Sequence, residues 1–381
     1  MNRETEIALV RRVLDHIASG TTDTADSTYR QPADHYTSPE RLARELDVVF
    51  GRAPLAVAHL SELVRPGDFV TRRIGDVPVL LTRDRAGALR AFINVCRHRG
   101  TQVVEDPRGH GAKGFACPYH AWSYGLDGAL LAVPHSIGFP GVEPGPAAGL
   151  VPLPVAGAAG FAWIRLDRAA ADTPLDPSAW LGPLAAELDG LALPAQHMHD
   201  PRTIELAQNW KLAADGALET YHLRATHRRT IYPLFHDNLG LVDLFGPHIR
   251  TVFPKRSIAT LAALPTSEWN LRLHANVLYF LFPNTILLVE PDHSMVLHTY
   301  PAGTDRCRFD AYALVPEPPR SDKALAYWAA NLAVFYGAVA EDFARGDSIQ
   351  AALRSGANRE LLFGRFEHAL AAFHRALDAM L

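Results

Sequence analysis

The chain has 381 residues, 48% of them hydrophobic, with 37 basic against 41 acidic side chains and a formal net charge of −4. That length predicts two domains, and the charge balance leaves no electrostatic footprint for nucleic acid or an anionic membrane. The N-terminal MNRETEIALVRRVLDHIASG mixes charged and apolar residues and no stretch reaches the length of a membrane span, so the chain is expected in the cytoplasm.

Ile7, Val10, Val13 or Leu14, and Ile17 recur at helical spacing and predict an amphipathic helix over 3–18. Residues 19–39 read as a polar loop. Ser38 offers an N-cap, with Pro39 at the first helical position, for a helix to Val49. Residues 1–49 are expected to form a helical segment packing on the catalytic domain.

From Leu55 to about Asp167, short apolar runs (78–82, 89–95, 115–117, 161–166) alternate with Gly- and Pro-containing turns, and YGLDGAL marks a hairpin. Residues 50–166 therefore read as an all-β domain. Residues 168–200 read as a connection with a short helix near Trp180. The remainder, 167–381, carries a helix over 209–222 and strands near 277–282, 285–290, 295–300 and 308–315. Pro316–Pro319 breaks the chain before a long helix over 321–345, and another runs from about Arg359 to the end. Strands followed by a long helix predict an α+β fold, an antiparallel sheet wrapped on that helix in the helix-grip manner.

Three cysteines, Cys96, Cys117 and Cys307, do not make a disulfide framework. Cys307 lies in a predicted strand and reads as an inert buried thiol. Cys96-Arg97-His98 is followed after 18 residues by Cys117-Pro118-Tyr119-His120. One Cys and one His in each half suits a [2Fe–2S] centre with two thiolates on one iron and two imidazoles on the other. Zinc knuckles pair Cys with Cys and His with His more often, and a structural zinc module is the competing reading.

Downstream, Glu219, His222 and His227 lie in one segment. Two His and one carboxylate on one face of Fe(II), with other positions open, is how non-haem iron oxygenases bind O2 and substrate. Five residues on a regular helix separate side chains by about 140°, so the helix is expected to bend or end near Arg224. The stripe Leu325, Trp328, Leu332, Phe335, Tyr336 and Val339 continues to Asp342 on the buried face, with Glu341 turned off by about 100°. A buried Asp342 needs a metal or an Arg partner, and the two His favour the metal.

The segments CRHRG (96–100), CPYHAWSY (117–124) and the run from Asn209-Trp210-Lys211 through Glu219 and His222 to His227 resemble the ring-hydroxylating Rieske non-haem iron oxygenases and the related N- and O-demethylases. The resemblance covers nearly the whole chain in order, with a longer spacer in the Gly109–Gly114 turn and Gly216 where many members carry Asn. It implies that Cys96, His98, Cys117 and His120 hold the cluster; Trp122 is expected to pack over it or simply in the core, and Arg97 and Arg99 to donate hydrogen bonds near it or to make surface salt bridges. It implies that His222, His227 and Asp342 bind Fe(II), with Gln350 eight residues beyond Asp342. Glu219 would bridge His222 to His120 of the partner subunit in a cyclic homotrimer, and Asp215 would orient the helix or join that path. Glu at 219 is commoner among members that oxidise quaternary amines.

Electrons would come from a separate NAD(P)H-dependent reductase, with a ferredoxin as an optional intermediate, because no nucleotide motif occurs here. The implied activity is O2-dependent hydroxylation or oxidative demethylation of a small aromatic or amine substrate. Alternatives are cis-dihydroxylation in aromatic catabolism and a Rieske electron carrier without oxygenase activity. Tyr221 reads as packing, the HMH at 197–199 as loop. Asn276, Tyr279, Phe282, Asn284, His293 and His298 are candidates for the pocket wall.

Overall fold

Apolar runs separated by turns became strands nearly everywhere they were expected. The computed structural model describes residues 1–167 and 173–381; residues 168–172, inside the predicted connection, lie outside the described residues. The chain divides into two units, Phe50–Trp180, and Met1–Val49 with Leu181–Leu381. Among the described residues no helix is long and apolar enough to cross a membrane.

In the unit Phe50–Trp180, the strands Leu89–Ile93, Val77–Arg83, Phe69–Ile74 and Arg108–Gly109 form one sheet in that order. Val155–Ala158, Phe161–Ile164 and Leu55–His59 form a second, and Phe115–Ala116, Ser123–Tyr124 and Leu130–Ala132 a third. Every pairing is antiparallel. The YGLDGAL turn joins the last two strands, and Gly128 sits there at φ +81, where an added Cβ would lie 2.3 Å from the Phe92 ring. Cys96 and Cys117 share one apolar cluster with Phe69, Phe92, Trp122 and Tyr124.

The other unit is built on a seven-stranded sheet in the order His197–Leu206, Cys307–Val315, Ser294–Pro301, Thr285–Val289, Ala275–Leu281, His248–Pro254, Leu241–Phe245, again antiparallel throughout. Three of these strands are absent from the sequence reading. The HMH segment is the start of an edge strand rather than a loop. Only Leu206 of that strand is buried, and backbone pairing to the distant Cys307–Val315 holds it, so no apolar alternation announces it. In His248–Pro254 the buried His248, Arg250 and Thr251 hide the strand pattern. Arg250 is tolerated because Glu187 and Asp243 accept its donors.

Other boundaries moved for similar reasons. Residues 19–39 are not all loop: Tyr29–Pro32 pairs with Glu360–Phe363, and the last helix therefore begins at His368 rather than near Arg359. The long helix runs Asp322–Leu353, past its expected end at 345. Gly346 does not stop it; a Cβ there would collide with Gln208, so the glycine permits close packing. Along its stripe Trp328 and Leu332 are buried but Leu325 is exposed. The N-terminal helix spans Arg3–Ser19, capped by Asn2 and closed by left-handed Gly20. Ser38 caps Pro39–Arg44, which runs on as a wider π turn over Glu45–Phe50.

That π turn carries Glu45, fully buried, into contact with Lys211, also fully buried, at 2.8 Å. Trp210 Nε1 and Arg41 Nε donate to the same carboxylate. A buried ion pair is stable only while both partners remain. Lys211→Met should therefore destabilise this unit by about 3 kcal/mol, measured by urea unfolding, and the double variant Lys211→Met/Glu45→Met should recover much of the loss.

Candidate metal centres

Both Cys–His loops fold the same way. The Cys96 amide donates to the Thr101 carbonyl and the Gly100 amide to the Cys96 carbonyl; the Cys117 amide donates to Trp122 and the Ala121 amide to Cys117. In each loop the fourth residue after the cysteine turns left-handed, Gly100 at φ +80 and Ala121 at φ +57. These turns leave both thiols buried in the apolar cluster while His98 is half-buried and His120 exposed. The imidazoles lie side by side, centroids 4.7 Å apart. Trp122 stacks on His98 at 5.0 Å with its plane 6° off. It thus covers a histidine.

Burial, then the neighbouring His120 and Arg99, lowers the His98 pKa, which favours the neutral form a metal needs. Tyr124, quoted in the motif but given no role there, places its hydroxyl 3.3 Å from the Cys96 sulfur and accepts the Arg97 amide proton. Burial and the adjacent thiol hold the phenol well above its usual pKa, so it stays protonated beside the sulfur. Arg99 turns to the Tyr119 hydroxyl at 3.1 Å.

Among the described residues, the one set of three or more His, Cys, Asp or Glu with donor atoms all within 4.8 Å of one another is His222, His227 and Asp342. The Cys–His donors form no such set among the described residues. A diiron cluster, with two donors on each metal, asks for no common point.

The second site begins where Asn209 caps the helix Trp210–Asp215. The Asn209 amide donates to buried Gln350 Oε1 at 2.8 Å, tying this start to the long helix. The helix does not continue to His222. It ends at Asp215, before Gly216, a poor helix former, so the interruption lies well ahead of Arg224. A single helical turn then spans Leu223–Thr226, with His222 and His227 as its two flanking residues. Flanking positions escape the 140° divergence of a regular helix.

The donors meet closely. His222 Nε2 and His227 Nε2 are 3.2 Å apart, and Asp342 Oδ1 lies 2.9 Å from the second and 3.5 Å from the first. Each Nδ1 is occupied: His222 bonds Glu219 Oε1, and His227 bonds Glu341 Oε2 at 2.7 Å. Carboxylate acceptors fix Nδ1–H and turn both Nε2 lone pairs inward. Burial pushes both imidazoles down, but Glu219 and Asp342 around His222, and Asp342 and Glu341 around His227, outweigh it and raise both pKa values. Three electron-rich atoms in mutual contact fit a cation.

Glu341 is the residue the sequence reading missed. Its 100° offset was read as facing away, yet its side chain reaches His227 and Thr230. Asp342 is half-buried rather than buried because it faces a cavity. Asp215 takes Tyr36 Oη at 2.7 Å and His374 Nε2 at 2.9 Å, neither of them a donor of this site. Tyr221 is exposed, with its ring 4.6 Å from Phe366. Cys307 is fully buried, and burial lifts its thiol to about 12.

His222, His227 and Asp342 open onto a cavity of about 240 Å³ with mostly apolar walls. Of the six candidates for its wall, Asn276 and His293 line it. Tyr279 is instead bonded to Glu187, Asn284 to the Thr299 carbonyl and His298 to Thr285, and Phe282 is buried in the core.

Residues 53–141 match the Rieske [2Fe–2S] domain and residues 195–381 the ring-hydroxylating α-subunit catalytic domain. The carnitine monooxygenase oxygenase subunit of Escherichia coli K12 is 31% identical over 91% of this chain and 92% of its own length. Choline monooxygenase of Atriplex hortensis is 27% identical over 88% of this chain and 74% of its own. The quaternary ammonium Rieske monooxygenase CntA superposes with a TM-score of 0.79 at 23% identity, over 94% of this chain and 96% of that one. Naphthalene 1,2-dioxygenase from Rhodococcus sp. gives 0.76 at 20% identity, over 98% of each.

The matched turns make a testable pair. Gly100→Val forces a side chain into a left-handed position at about 1–2 kcal/mol and should lower cluster absorption per chain. Ala121→Gly should keep the absorption and raise the thermal midpoint.

Proposed function

The chain belongs to the ring-hydroxylating, Rieske-type oxygenase α-subunit family, and on that footing we propose that it oxidises a small N-methylated cationic amine with O2. We assign Cys96, His98, Cys117 and His120 to the cluster, with Trp122 beside it, and His222, His227 and Asp342 to Fe(II). When bound, the cluster relays electrons and the Fe(II) activates O2. The readings as zinc module and as simple electron carrier fall away with the family.

The observation that carries the reading is a three-donor cation site opening onto an apolar cavity sized for a small organic molecule. The cavity takes in Phe235, Phe253 and Phe335, with Glu219 and Asp342 at the metal end. Aromatic faces beside carboxylates suit a quaternary ammonium. The carnitine, choline and glycine betaine monooxygenases among the relatives support that class. The chain's own part in the reaction is to bind and orient the amine, exclude water through the apolar walls, and hold His222 and His227 as Nδ1–H donors to Glu219 and Glu341.

Electrons are proposed to arrive from a separate NAD(P)H-dependent reductase, directly or through a ferredoxin, in a cytoplasmic cyclic homotrimer. In it Glu219 links His222 to His120 of the partner subunit. His120 is exposed on its loop, as such a contact requires, and the structure of a related quaternary ammonium Rieske monooxygenase bears on inter-subunit electron transfer in that protein. Cis-dihydroxylation in aromatic catabolism is the second reading, favoured by the anthranilate 1,2-dioxygenase large subunit, 30% identical over 55% of this chain.

Labelled O2 separates the two. Turnover of methylated amines should place one labelled atom in the organic product, whereas a labelled diol from an arene would favour the second reading. Glu219→Gln should keep both metals while oxidation of the reduced cluster in single turnover slows about 10- to 100-fold. Wild-type speed would remove Glu219 from the path.

A further inference from the structure

The cavity has a second polar end. Side chains of alternate residues on neighbouring strands face it: Ile286, Leu288 and Glu290 leading off one strand, Asn276 and Leu278 on the next, and Phe253 and Lys255 on and just past a third. Ile286 lies at the metal end, since it also shares the wall of a smaller adjoining cavity with Asp342 and Gly216. Glu290 is four residues further along, roughly 13 Å at strand rise. The long helix tells the same story: it lines the cavity from Asp342 back to Asn331, eleven residues or roughly 16 Å. Leu278, Leu288 and Val334 separate the two polar ends.

At the far end Lys255 is poorly matched. Its side chain is only 19% exposed, and its ion-pair partner, Glu290 Oε2, stands 3.8 Å away, beyond hydrogen-bond length. Among the described residues no hydrogen bond to its ammonium is found. Glu290 gives its other oxygen to Asn276 Nδ2 at 2.8 Å. Burial raises the Glu290 pKa, and Lys255 and His293 oppose that rise. A half-buried ammonium whose ion-pair partner stands beyond hydrogen-bond length favours an anion beside it in an apolar cavity.

We infer that Lys255, braced by Glu290 and Asn276, binds a carboxylate at the remote end of the substrate. The substrate class is then an elongated zwitterion whose N-methylated cation faces His222, His227 and Asp342 and whose carboxylate lies several methylenes away. This rests on the amine reading above. Glu290 is not the seat of the reacting cation, because a methyl group bonded there would lie far from the metal donors.

The test is equilibrium binding to the anaerobic holoenzyme without reductase. The probes are ω-trimethylammonio carboxylates of increasing chain length beside the equal-length alcohols. Wild type should prefer carboxylates, increasingly with chain length up to an optimum. Lys255→Met should weaken carboxylate binding on the order of 30-fold or more and leave the alcohols unchanged, and Lys255→Arg should restore the preference. Glu290→Gln should keep it. The cluster spectrum reports that each variant is folded. Equal affinity for acids and alcohols in wild type, or a preference that survives Lys255→Met, overturns the inference. ω-Phenylalkanoates against ω-phenylalkanols run the same comparison without an amine. If methylated amines neither bind nor turn over, the amine reading fails, and this pair still decides the carboxylate site.

Discussion

The catalytic unit depends on one crowded contact: two imidazole nitrogens and a carboxylate oxygen within 2.9–3.5 Å of one another. Glu219 and Glu341 create it by occupying each Nδ1. With each Nδ1 bonded outward to a carboxylate, each Nε2 faces the other and Asp342. A cation at their centre turns repulsion into coordination, and the same two acids raise the basicity of the nitrogens that would bind it. Their tautomers follow from the neighbours, so the acids matter as much as the ligands.

Holding the donors in place takes the rest of the unit. The strand and helix that wall the cavity deliver Ile286 and Asp342, but the two His come from an interrupted segment whose start must be fixed separately. Asn209 does so by capping its own helix and donating its amide to Gln350. Glu45 of the N-terminal segment anchors the next two residues, accepting from Trp210 Nε1 and Lys211 Nζ. Asp215, pinned by Tyr36 and His374, closes the helix at the point where the chain must turn. A network this buried contributes little net stability, and its value here is in specifying a single arrangement.

Much of this was legible in the sequence because the chemistry is local. The two Cys–His loops, the five-residue spacing of the His pair and the stripe leading to Asp342 are patterns within short windows. The interruption was legible too, since a regular helix cannot bring residues 222 and 227 together, but its place was not: Gly216 ends the helix before the pair, and the pair flanks a separate turn. Glu341 was lost because a helical wheel gives direction and not reach. The edge strand at His197 was lost because its partner Cys307–Val315 lies far away in sequence, and the strand at His248 because its buried polar residues are satisfied only in the fold. Tyr29–Pro32 was hidden, like the edge strand, by a distant partner, Glu360–Phe363. Lys255 and Glu290 carry no motif, and only the register of adjacent strands puts them on one cavity wall.

The position of iron decides whether these side chains are ligands. Anomalous diffraction from holoenzyme crystals at the iron edge would locate it directly. The expected map has one peak for a diiron cluster among Cys96, His98, Cys117 and His120, and a separate single peak touching His222 Nε2, His227 Nε2 and Asp342. An iron-replete, active crystal with no peak among those three side chains, or with its lone iron held by other residues, would contradict it.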